Sequence, residues 1–106
     1  AYHSREWVDS YLNYNPLKQY TNNTIIHKET LHRELELIRQ QGYSLDNREH
    51  NPDIVCIAAP IFGIDGNLAG TIGISAPDYR FSPEKACSFA EEVKRSAAAI
   101  TEKLQA

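Results

Sequence analysis

Apolar positions recur along this chain with two different periods. Near the start, Trp7, Val8, Tyr11 and Leu12 share one helical face and Ser4 stands where a capping hydroxyl belongs, which predicts a short helix through the stretch REWVDSYL. The Asn-rich stretch NYNPLKQYTNNT, interrupted by Pro16, reads as a connector. Helical spacing returns in KETLHRELELIRQQG, where Leu31, Leu35 and Ile38 form the stripe, Leu37 flanks it and Gly42 is a natural stop. Ile26 and His27 are poor caps, so the start of this second helix is less sharply marked than its end. Tyr43 to Leu45 reads as a short strand, followed by a polar segment that ends at Pro52. Near the C-terminus, Ser82-Pro83-Glu84 combines a capping hydroxyl, a proline at the first helical position and an acid in the first turn. From there Ala86, Ala90, Val93, Ala97, Ile100 and Leu104 predict one long helix with a narrow, alanine-rich seam able to lie close against a sheet.

Between these helices the period changes to two. The segment VCIAAPIFGIDGNLAGTIGIS, residues 55–75, reads as two strands joined at Asp65-Gly66, a pair suited to the type I′ turn that needs positive φ at both central residues. With the turn centred there, Cys56 faces Ser75, Ala58 faces Gly73 and Pro60 faces Thr71. On the other side Ile57 faces Ile74, Ala59 faces Ile72 and Ile61 faces Gly70. The second set is a packing face for the two long helices. The first is a depression floored by Ala58 and Gly73 with two small hydrogen-bonding groups beside it, which suits a small-molecule pocket. Gly70 and Gly73 weaken the strand they share and point to close approach of a ligand or of backbone. Small residues on that face are equally compatible with another element packing tightly there. A one-residue slip of the turn exchanges the two faces.

Composition narrows the function. A chain of 106 residues fits one domain or part of one, and no apolar run approaches the roughly 20 residues of a membrane-spanning helix. The net charge is −3, with lysines and arginines scattered among acids, so the basic stripe that nucleic-acid binding requires is missing. Cys56 and Cys87 have neither zinc-finger nor thioredoxin-type spacing and read as reduced thiols of a cytoplasmic protein. Asn22-Asn23-Thr24 has the form of a glycosylation sequon but no secretory signal accompanies it. His3, His27 and His32 read as exposed.

The ordered motifs from Gly42 to Lys85 resemble the effector-binding domain of the IclR family of bacterial transcription regulators. Gly42-Tyr43, Asp46, Glu49, Cys56-Ile57-Ala58-x-Pro60, Ile74-Ser75-x-Pro77 and Ser82-Pro83-Glu84 match that family's pattern in order, and TNNTIIHKETL is similar to its Thr-x-x-Thr-Ile segment. The resemblance implies an α+β (α/β) domain of the GAF or profilin type, with an antiparallel sheet and helices packed on one face. It implies that residues 1–106 are the C-terminal portion of one ligand-sensing domain. The winged helix-turn-helix and the glycine-alanine-lysine segment that lines another pocket wall would lie outside the chain, with Ala1-Tyr2 as the tail of a helix. A small-molecule effector, a homo-oligomer (dimer or tetramer), and DNA contacted only through the absent domain are the partners so implied; no membrane or cofactor is. Carried over, the effector-contacting set is Cys56, Ser75, Gly73, Ala58, Ile54, Asp46 and Glu49. Two departures stand out: the first serine of the Ser-Ile-Ser pattern is Gly73, and the Glu-Glu pair is Arg48-Glu49.

Other readings remain at this point. A Cys56 nucleophile would need a base such as His50 in reach, yet Cys56 falls mid-strand. Cys56, His50 and Asp46 or Glu49 are suitable metal ligands without a recognised spacing. A pure oligomerisation module could use the alanine seam or an exposed sheet edge.

Overall fold

The computed structural model describes all 106 residues. Ser4 caps the first helix, its Oγ accepting from Trp7 N–H at 3.1 Å, and α1 runs Arg5–Tyr14. α2 spans Lys28–Gln41; His27 offers it no side-chain cap, and Gly42 ends it at φ 82°. The sheet follows as β1 (Ser44–Asn47), β2 (Ile54–Phe62) and β3 (Leu68–Pro77), antiparallel in the order β1-β2-β3. α3 (Pro83–Ser88) and α4 (Ala90–Gln105) complete the chain. Ala1 and Tyr2 are not helical, and the Tyr2 ring meets Phe62 edge-on at 5.2 Å.

The expected facing pairs hold: Cys56 with Ser75, Ala58 with Gly73, Ile57 with Ile74. The turn that delivers them is different. Asp65 does not adopt positive φ; Gly66 alone does, at 78°. Gly66 N–H donates to Gly63 O at 3.0 Å and Gly63 N–H to Asn67 O at 2.9 Å, a wider loop than the two-residue turn. Asp65 accepts from Asn67 through both carboxylate oxygens instead, and this pulls its carboxyl below the ordinary range. A register shift between Ile61 and Phe62 absorbs the change, so the strand interiors keep their pairing.

The core lies on one side of the sheet. Val55 and Ile57 are 0% and 1% exposed and pack with Ala59, Phe81, Ala86, Ala90, Val93 and Ala97, flanked by Tyr43 and by Leu45 of β1. The alanines let α4 lie close to β2. The long helix expected here is broken at Phe89. Ser88 Oγ donates to Lys85 O at 2.5 Å, the carbonyl that Phe89 N–H would occupy in a continuous helix, and Phe89 N–H turns to Ala86 O at 3.0 Å. α2, expected on this face as well, lies elsewhere: its Leu35 and Ile38 line, with Ser44, Ala58 and Thr71, a cavity of about 180 Å³ on the opposite face.

His32 corrects another expectation. It is only 9% exposed, and its Nε2 lies 2.7 Å from Asp9 Oδ1, joining α2 to α1. Lys28 stands 3.7 Å from the same oxygen, and Arg5 reaches both Glu29 oxygens at 2.9 and 3.2 Å.

Candidate effector site

Alternation along β1, β2 and β3 puts Ser44, Asp46, Ile54, Cys56, Ala58, Gly73 and Ser75 on the face away from α4. Asp46 is directly opposite Cys56, and Cys56 directly opposite Ser75, so the three make one polar row across the sheet. The next row is Ser44, Ala58 and Gly73, and Ile54 sits beside Cys56 toward the strand end, opposite Pro77. The Cys56 thiol donates to Ser75 Oγ at 3.1 Å, leaving the serine O–H free to donate outward. Ser75 and Gly73 are exposed and Cys56 is half-buried. Donors at one end of the row and a carboxylate acceptor at the other can together hold a small molecule bearing both an acid and a hydroxyl.

Gly73 has a reason of its own. A Cβ there would lie 2.3 Å from Ile57 O and 3.0 Å from Ala58 Cβ, so the missing side chain serves the close approach of β2 backbone. It also keeps the floor of the depression flat.

Glu49 is not on a strand. It follows β1 in the loop Arg48–Asp53 and is tied back to the row: Glu49 N–H donates to Asp46 Oδ1 at 2.8 Å, and Asn47 N–H donates to Glu49 Oε2 at 3.1 Å. Burial pushes the Glu49 carboxyl above its ordinary value, the Asp46 and Glu34 charges push the same way, and only the Asn47 N–H opposes them. Arg48, in the left-handed region at φ 57°, aims its guanidinium at Asp78 Oδ2, 3.8 Å away, rather than across the floor. His50 turns to the Tyr20 ring, 4.7 Å between centroids, and the structure gathers no group of three His, Cys, Asp or Glu side chains able to hold a metal ion. Both cysteines are free thiols.

The largest cleft, about 570 Å³, is not centred on the Cys56 row. It runs between α1, the connector, α2 and β1, lined by apolar groups such as Leu12, Leu17 and Leu35, and touches the polar row through Asp46. Thr21 and Thr24, the two threonines of the Thr-x-x-Thr-Ile segment, also reach the site loop; the segment marks their positions, while their partners lie beyond α2.

Residues 1–102 match the family described as "Bacterial transcriptional regulator IclR C-terminal". The chain belongs to the IclR family. Its sequence is 34% identical over 104 residues to the HTH-type transcriptional regulator KdgR of Dickeya chrysanthemi, covering 98% of this chain and 34% of that protein. It is 37% identical over 81 residues to the HTH-type transcriptional regulator BhcR of Paracoccus denitrificans, covering 76% of this chain and 29% of the relative. The crystal structure of IclR from Thermotoga maritima superposes with a TM-score of 0.89 at 34% identity, covering 99% of this chain and 42% of that one. The chain thus spans about a third of the length of these curated IclR-family relatives. They are transcription regulators, not enzymes, and the α+β fold with its antiparallel sheet is the IclR C-terminal fold. No helix here is long and apolar enough to cross a membrane.

Proposed function

We propose that this chain is the C-terminal portion of a ligand-sensing domain, and that its Asp46–Cys56–Ser75 face binds a small hydroxylated organic or sugar acid. The observation that carries the proposal is the row itself: an outward serine hydroxyl set by the Cys56 thiol, an aspartate opposite, and a floor of Ala58 and Gly73 with Ile54 and Glu49 at its margins. Membership of the IclR family supports a sensing role. The Ser75 hydroxyl donates to the acid of the ligand, and Asp46 accepts from its hydroxyl. In the parent regulator, which we take to be a cytoplasmic oligomer reaching DNA through a separate winged helix-turn-helix, the ligand binds one arrangement better than another and shifts its population.

Thermal-shift screening of small organic and sugar acids on the intact regulator tests this reading. A binder at 100 times its Kd adds about 2.7 kcal/mol of stability, and Ser75→Ala or Cys56→Val removes that gain. Binders whose effect survives both substitutions would place the ligand elsewhere. A second reading, an association module with no ligand of its own, is favoured by β3, a ten-residue strand with no partner on its outer edge. Under that reading only protein concentration moves the melting temperature.

A further inference from the structure

We infer that Thr21 and Thr24 are positioning residues for the acidic side of this site, holding the loop after β1 so that the Asp46 and Glu49 carboxylates stay beside the Cys56–Ser75 row. The inference rests on the effector-site reading above. Three consecutive carbonyls, the last of β1 and the first two of the loop, are each captured by a connector side chain. Asn23 Nδ2 donates to Asn47 O at 2.9 Å, Thr21 Oγ1 donates to Arg48 O at 2.6 Å, and Thr24 Oγ1 donates to Glu49 O. The donors are themselves fixed. Thr24 Oγ1 accepts from the N–H groups of Tyr20 at 3.0 Å and Thr21 at 2.9 Å, while Thr21 Oγ1 accepts from Asn23 N–H at 3.0 Å. On the loop side the two carboxylates are interlocked with backbone, Asp46 with Glu49 N–H and Glu49 with Asn47 N–H. Arg48 between them sits at φ 57°, a conformation a non-glycine residue keeps only when its surroundings impose it. The loop has no regular structure of its own to set that geometry, so the threonine clasp supplies it.

The two threonines act in the clasp through their hydroxyls, which makes the test specific. Thr24→Val keeps the shape and removes the donor, Thr24→Ser keeps the donor, and Thr21→Val cuts the neighbouring bond. Hydrogen exchange on the intact regulator should show the amides of Asn47 and Glu49 exchanging about tenfold faster in either Val variant. Exchange in β2 and α4 should be unaltered, and Thr24→Ser should match the wild type. With lactate and gluconate as probes, the Val variants should bind about tenfold more weakly and with a changed pH profile. Unchanged exchange at residues 46–50 in both Val variants overturns the clasp, as does a Thr24→Ser variant as loose as Thr24→Val. A loosened loop with undiminished probe binding overturns the positioning role. Probe binding that survives Ser75→Ala, or a wild type that binds neither acid, removes the site reading instead, and this inference with it.

Discussion

Gly73 and Glu49 show how single atoms set the character of the polar face. Gly73 faces a β2 carbonyl so closely that a Cβ would sit 2.3 Å from Ile57 O. Gly73→Ser, which installs the serine of the family pattern, should therefore cost about 1–3 kcal/mol through displacement of the β2–β3 pair. Urea unfolding measures this, and a cost below about 0.5 kcal/mol would mean that the strands separate freely. Glu49 has the opposite kind of constraint, a carboxyl raised by burial and by the Asp46 charge. A carboxyl whose folded value lies above its unfolded value works against folding where both states are ionised, and that handicap fades as pH falls through the folded value. Glu49→Gln should thus stabilise the protein at neutral pH and flatten the gain seen on mild acidification; melting curves at several pH values decide it. At this scale the sequence carried the pairing of Cys56 with Ser75, although the expected two-residue turn is a wider loop and the register shift between Ile61 and Phe62 absorbs the difference. For Gly73 the sequence left two reasons open, close approach of a ligand or of backbone, and the Ile57 carbonyl decides for backbone.

The elements are joined by contacts of two kinds, and only one kind was legible. Apolar periodicity located α1, α2, the single helical stretch that divides into α3 and α4, and the hairpin, and the alanine seam marked that stretch as the one that lies on Val55 and Ile57. The break at Phe89 was hidden because the apolar period runs through it unaltered, while the Ser88 hydroxyl that diverts the backbone is an ordinary exposed helix residue by pattern. The α1–α2 joint was hidden too. Asp9 and His32 meet only because two helices separated by the connector converge, and their charge pattern along either helix is unremarkable. This joint makes a sign-specific prediction. The His32 hydrogen bond, helped by Lys28 and Arg5, holds the Asp9 carboxyl below its ordinary value. The contribution is therefore present above the unfolded value near 3.8 and disappears as pH falls through the lower folded value. Asp9→Asn should lower the melting temperature at neutral pH and cost nothing once the medium is acid enough to protonate both states. An equal deficit at every pH would assign the loss to the substituted amide rather than to charge.

As a whole the molecule is a plate, with principal extents of 42 × 37 × 19 Å and a radius of gyration of 14.5 Å. A compact domain of this length has a radius near 13 Å, and the flattened shape accords with a sheet that carries α3 and α4 on one face and α2 over only part of the other. The openness coincides with a hazard at the edge. β3 runs ten residues, carries no charged side chain, and pairs only with β2, which leaves one row of backbone donors and acceptors free to recruit another strand. Residues 1–106 alone should accordingly melt at a temperature that rises with protein concentration. Thr71→Lys places a charge at an exposed position of that edge, on the polar face, and should abolish the concentration dependence without loss of helical signal. If the dependence persists, association runs through another surface, and the stacked, half-exposed Trp7 and Tyr11 rings on α1 become the place to look. If it vanishes, and a small acid still stabilises the variant through Ser75, then the edge and the polar row are separate properties of one sheet, and ligand sensing needs no strand exchange between copies.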